Sequence, residues 1–169
     1  MNGLSFLDFL VEPTFIDRSN PPLKVSATVV GWIAVVLAAL GLLGLLIAIP
    51  VVFAVGTAMA IVGGTTGSHP GVFLLALLGL VLVAITTLMA LVGGWQMTQG
   101  NHNGRRLLIQ SLALNVIFSL IYNIGLANIG QFILHLIVNA IIYYFVVISR
   151  FPDELALGAS STPGRPVSG

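Results

Sequence analysis

The stretch VSATVVGWIAVVLAALGLLGLLIAIPVVFAVGTAMAIV, Val25–Val62, runs for thirty-eight residues without an Asp, Glu, Lys or Arg. As a single helix it would be roughly 57 Å long at about 1.5 Å per residue, nearly twice the roughly 30 Å hydrocarbon core of a bilayer. One straight span cannot use all of it. Pro50 is the natural break, because proline lacks an amide hydrogen and its ring clashes with the preceding turn. The first span is therefore expected over Val25–Ile49, in a helix kinked or broken at Pro50. Residues Val51–Val62 then continue as a kinked extension, lie in the interface, or dip in and return.

The rest of the chain has the same character. It has 169 residues, 57% of them hydrophobic and only 7% charged, against about 25% charged in average soluble domains. Between Val25 and Ser149 the charged residues are Arg105 and Arg106 alone. This composition predicts an all-α polytopic integral membrane protein, a four-transmembrane-helix antiparallel bundle. Val72–Met97, Leu107–Leu126 and Gln131–Ser149 are the further spans. The loop TQGNHNG, Thr98–Gly104, is so short that the helices on either side must run antiparallel.

Residues 1–24 mix five charged residues with Leu4, Leu7, Leu10 and Val11 at helical spacing. They read either as an interfacial amphipathic helix or as a loosely ordered segment, and they lack the basic start and unbroken apolar run of a signal peptide. Residues 150–169 are rich in Pro, Gly and Ser and read as a flexible tail.

With four spans, Arg18, Lys24, Arg105, Arg106, Arg150 and Arg165 all fall on one side, and the opposite loops near Ser68 and Asn128 carry no basic residue. Basic residues flanking spans are retained in the cytoplasm. The expected location is thus a plasma membrane, with both termini and the middle loop cytoplasmic. Trp32 and Trp95 fall near the same headgroup layer, where an aromatic belt is expected.

Several functions are disfavoured by what the chain lacks. There is no cysteine, so disulfides and thiolate metal sites are excluded. A formal net charge of +1 gives no ground for a nucleic-acid partner. No HExxH, GxxxxGK[ST] or GxSxG motif occurs and no carboxylate lies in a span, so neither a catalytic centre, a metal nor a cofactor is expected.

Two patterns remain. Small residues recur in the first spans at Ala34, Ala38, Gly41 and Gly44, then at Ala76, Gly79, Ala84, Gly93 and Gly94, as close helix packing in lipid requires. Polar residues recur every four positions at Ser111, Asn115, Ser119 and Asn123, and again at Gln131, His135, Asn139 and Tyr143. In a hairpin turning near Ala127 these two rows face each other, with Ser119 level with His135 and Asn115 level with Asn139. The candidate intramembrane cluster is Asn115, Ser119, His135 and Asn139, read first as hydrogen-bonded glue worth about 0.6 kcal/mol per bond. Arg105 and Arg106 are candidate cytoplasmic headgroup contacts.

The functional expectation is a non-enzymatic structural, scaffold or accessory protein. Its partners would be the bilayer and either further copies of itself or a larger membrane complex. The alternative is an oligomeric small-solute transporter or channel lined by the polar faces of the third and fourth helices.

Overall fold

The computed structural model describes residues 8–11, 13, 16, 25–62, 70–125 and 129–154. These are helical: α1 (Asp8–Val11), α2 (Ala27–Val62), α3 (Pro70–Thr98), α4 (His102–Gly125) and α5 (Ile129–Ile148). The last four are long and apolar enough to cross a membrane. The loops near Ser68 and Asn128 and the chain beyond Glu154 lie outside the described residues.

Local chemistry accounts for the helix ends. The Ser26 hydroxyl accepts the Thr28 amide at the start of α2, an N-cap. Gly100, at φ 77°, ends α3. Its amide donates to the Met97 carbonyl at 3.1 Å and the Asn101 amide to the Gln96 carbonyl at 3.0 Å, the paired bonds of a Schellman stop. Asn101 then accepts the Asn103 amide through its side chain at 3.0 Å and caps α4. A helix stop and a helix start thus share one tight turn, and α4 begins at His102 instead of Leu107. Arg105 and Arg106 consequently lie inside the helix. Their charge ends the apolar run, but nothing in their backbone chemistry ends a helix.

α2 runs through Pro50 and ends at Val62, so Val51–Val62 continues the helix without returning. Proline removes one hydrogen bond from a ladder that lengthy flanking helix can sustain.

α3 packs most extensively against α4 and next against α2, while α5 lies on α4. The contacts run antiparallel throughout. Gly31 meets Gly94 while Gly41 meets Thr87, and Gly93 meets Leu108 while Thr86 meets Asn115. α2 and α5 touch where the start of one meets the end of the other. The Ala27 amide donates to the Arg150 carbonyl and the Arg150 amide to the Val25 carbonyl, each at 2.9 Å.

The main apolar cluster sits at this end, built from Ala27, Val30, Met97, Leu108, Val146 and Phe151 among others. Phe151 is fully buried, so Arg150–Glu154 belongs to the packed fold rather than to a flexible tail. The N-terminal segment also joins it. Leu10, Val11 and Ile16 pack on the cluster, and the Tyr143 hydroxyl donates to the Leu10 carbonyl at 2.8 Å.

Candidate functional site

The small residues of α3 serve two neighbours at once. A Cβ on Gly94 would lie 3.0 Å from the Gly31 carbonyl oxygen, and one on Gly93 would lie 2.8 Å from the Leu108 amide. On Gly104 a Cβ would come within 2.6 Å of both the Gly93 carbonyl oxygen and the Met97 amide. The backbones therefore approach as closely as glycine allows, the geometry that drives helix association where lipid removes the hydrophobic incentive. Gly31 and Gly104 escaped the sequence reading, the second because it stands in a cluster of turn formers.

This approach decides which way the polar row on α4 faces. Gly104, Leu108 and Asn115 all meet α3. The face of α4 that carries Gly104, Leu108 and Asn115 therefore packs on α3, and Asn115 also reaches the row on α5. Ser111, Ser119 and Asn123 are buried. They satisfy themselves mainly within α4. The Ser111 hydroxyl donates to the Leu108 carbonyl at 2.7 Å, and the Asn123 amide to the Ser119 carbonyl at 2.7 Å and to its hydroxyl at 3.1 Å. Short polar side chains in helices commonly find such partners one turn back.

Asn115 is the residue that reaches outward. Its amide donates to the Thr86 hydroxyl of α3 at 3.0 Å, and its carbonyl oxygen is 2.5 Å from His135 Nε2 of α5. The Thr86 hydroxyl in turn donates to the Val83 carbonyl at 2.9 Å. Because the single Thr86 proton is committed to Val83, Thr86 can only accept from Asn115. The Asn115 oxygen then faces His135, whose Nε2 donates. A directed chain of hydrogen bonds thus joins three helices. Thr86, almost wholly buried at 1% exposure, is not singled out by the sequence, where the adjacent pair Thr86 and Thr87 among apolar residues carries no period.

The predicted level pairs are replaced by a diagonal one. Asn139 donates to the His135 carbonyl of its own helix at 2.8 Å, which removes it from the role opposite Asn115. Of the four candidate residues, the structure joins Asn115 and His135 across helices and keeps Ser119 and Asn139 on bonds within their own. A double-mutant cycle reads this directly. Replacing Asn115 and His135 with leucine, singly and together, should show a coupling near 0.6 kcal/mol in reversible unfolding. The cycle with Asn139→Leu in place of His135→Leu should show a coupling of about zero.

The two arginines also part company. Arg106 is exposed, as a headgroup contact would be. Arg105 is only 6% exposed. It donates to the Ser149 carbonyl and to Glu154 at 3.4 Å, and its guanidinium lies 4.7 Å from the centre of the Phe151 ring. Glu154 also accepts the Phe151 amide at 3.0 Å. Arg105 is therefore an internal anchor for the segment after α5 and not a headgroup contact. A carboxylate delivered by residues 150–154 is what makes its burial tolerable.

Beside this anchor, His102 Nε2 donates to Asp153 at 2.9 Å, and the His102 ring lies 4.1 Å from that of Phe151. The hydrogen bond from His102 holds the exposed Asp153 carboxyl below its ordinary value. Trp32 and Trp95 meet edge to face at 5.9 Å, joining α2 to α3 at the same end.

A pocket of about 420 Å³ lies between α4 and α5, with Phe9 and Leu10 of α1 on its wall. Among the described residues, no three His, Asp or Glu gather as metal ligands do. No family model, curated protein or solved structure matches the chain.

Proposed function

We propose that this protein is a four-span integral membrane protein of the plasma membrane, with both termini and the α3–α4 turn in the cytoplasm. In this reading it acts as a non-enzymatic scaffold or accessory subunit through helix and loop contacts. α2, at roughly 54 Å for its 36 residues, exceeds the bilayer core, so it kinks at Pro50 and carries Val51–Val62 along the far interface.

The observation that carries the reading is how the polar groups are used. Thr86, Asn115 and His135 are spent on one another between three helices, and Arg105 is spent on the chain's own Ser149 and Glu154. Such groups fix register and hold the ends of helices together, which suits a rigid platform. A transport path would instead need Asn115, Ser119, His135 and Asn139 to face a common lumen. Ser119 and Asn139 are buried within the subunit, which favours the scaffold over the channel.

The absence of cysteine makes the threading directly testable. Single cysteines placed at residues 2, 68, 101, 127 and 160 should react with a membrane-impermeant maleimide from outside intact cells at 68 and 127 alone. Labelling at 101 from outside would overturn the topology. For the role itself, in-cell crosslinking and mass spectrometry should return a constant membrane partner. Solute flux in reconstituted vesicles that disappears in His135→Ala would replace the scaffold reading with transport.

A further inference from the structure

The chain leaves α5 by a short segment, Arg150–Glu154, that touches two other helices at their starts. Arg150 forms a parallel bridge with Ser26, in which its carbonyl accepts the Ala27 amide and its own amide donates to the Val25 carbonyl, each at 2.9 Å. Further along, Glu154 accepts from Arg105 of α4 at 3.4 Å. Between these ends the Phe151 ring is fully buried, with the Arg105 guanidinium 4.7 Å and the His102 ring 4.1 Å from its centre. One strap thus ties the start of α2 to the start of α4, two helices that each pack on α3.

The strap has the properties of a unit that opens whole. The Ala27 amide is one of the first in α2, with no carbonyl of its own helix to bond, so it bonds to the strap. The Phe151 amide bonds in turn to the Glu154 carboxylate at 3.0 Å. Withdrawing Glu154 alone would strip that acceptor from Phe151 and that carboxylate from Arg105, which is itself buried. A half-open strap therefore costs nearly as much as an open one. Its outer edge nevertheless faces solvent, with Asp153 exposed and Glu154 partly so, as in segments that open more readily than the whole fold.

We infer that Arg150–Glu154 is a clasp with two arrangements, closed on Arg105 or lifted as one piece, and that lifting it releases the start of α2. The coupling runs from Arg105 through Glu154, Phe151 and Arg150 to Ala27, a contiguous chain of hydrogen bonds and packed rings. It is reciprocal. Whatever takes up the strap loosens the start of α2, and whatever fixes the start of α2 holds the strap down. The clasp needs only packing within the chain, so it goes beyond the scaffold reading and gives that platform one movable joint.

The test follows amide hydrogen exchange residue by residue, by NMR, in the full isotope-labelled chain in neutral detergent micelles. Closing must outrun exchange, so that each rate reports how often an amide is freed. The amides of Ala27, Arg150 and Phe151 should share one opening, at least about tenfold more frequent than that of the core residue Ile109. Glu154→Ala should make this opening about a hundredfold more frequent at all three amides, as loss of one partner of a buried pair implies. Should that variant fail to fold, Glu154→Gln keeps an acceptor for the Phe151 amide and should speed the same three amides by one smaller common factor. Faster exchange at Phe151 with Ala27 unchanged overturns the proposal, because the strap would then fray without releasing α2. Exchange of Ala27 at the rate of Ile109 in the unaltered chain also overturns it, because only global unfolding would then free the start of α2.

Discussion

Replacing Glu154 with alanine is expected to lower the stability of the fold by about 3 kcal/mol, toward the lower end of the range for removing one partner of a buried ion pair. Arg105 keeps its place under Phe151, with its side chain 8% exposed, but loses a carboxylate whose own side chain is 33% exposed. The remaining exposure of Glu154 is what holds the figure to the low end. The Phe151 amide loses its acceptor in the same step, so the segment after α5 should loosen. Reversible unfolding in mixed micelles measures the loss, and faster proteolysis after Arg150 locates it. The double variant Arg105→Met with Glu154→Leu should recover more than half of the loss, since it removes the buried charge with its partner. Were Arg105 held by lipid headgroups, Glu154→Ala would cost less than about 1 kcal/mol, as an exposed pair does.

The second large effect is expected at Gly104. An added methyl there meets two backbone atoms at 2.6 Å, the Gly93 carbonyl oxygen and the Met97 amide nitrogen, so no side chain can give way. Gly104→Ala should therefore cost about 3 kcal/mol, the upper end for overpacking, and Gly104→Leu should prevent α3 and α4 from closing. Gly44→Ala is the matched control. Nothing lies within 4 Å of its added Cβ, so alanine should be neutral or stabilise α2 by up to about 1 kcal/mol through helix propensity. Thermal unfolding of both variants in one detergent decides the matter. Equal small effects at the two sites would mean that α3 and α4 are not in backbone contact.

The two predictions differ in what sequence reasoning could supply. Gly93 and Gly94 were visible as small residues suited to helix contact, but Gly104 was hidden among Asn and Gly in a turn. It belongs to both features, because the turn is tight enough to put the first helical residues of α4 back against the end of α3. Arg105 and Glu154 are separated by 49 positions. The glutamate sits at the edge of a Pro-, Gly- and Ser-rich stretch whose composition reads as tail. Composition averages over residues, whereas burial of Phe151 and a single ion pair can order five of them.

The polar cluster shows the same division. A polar residue at every fourth position on α4 and α5 is legible in the sequence. The direction of the α4 row is not. Nearly every side chain of α2 and α3 is apolar, so their sequences carry little angular signal about which face meets a neighbour. The sequence pairs the α4 row with α5 because α5 has a row of its own, while glycines on α3 and α4 set the contact that also joins Asn115 to α3.

Length and charge placement alone determined that the chain forms four long apolar helices, because an uncharged run long enough to cross a bilayer has helix as its economical way to satisfy every backbone group. The antiparallel order followed from the short turn between α3 and α4. The tertiary structure alone decided which faces meet, that Thr86 joins Asn115 to His135, and that Arg105 turns inward while Arg106 stays outside. Those outcomes depend on backbone distances of a few ångströms between residues far apart in the chain, and local pattern does not encode them.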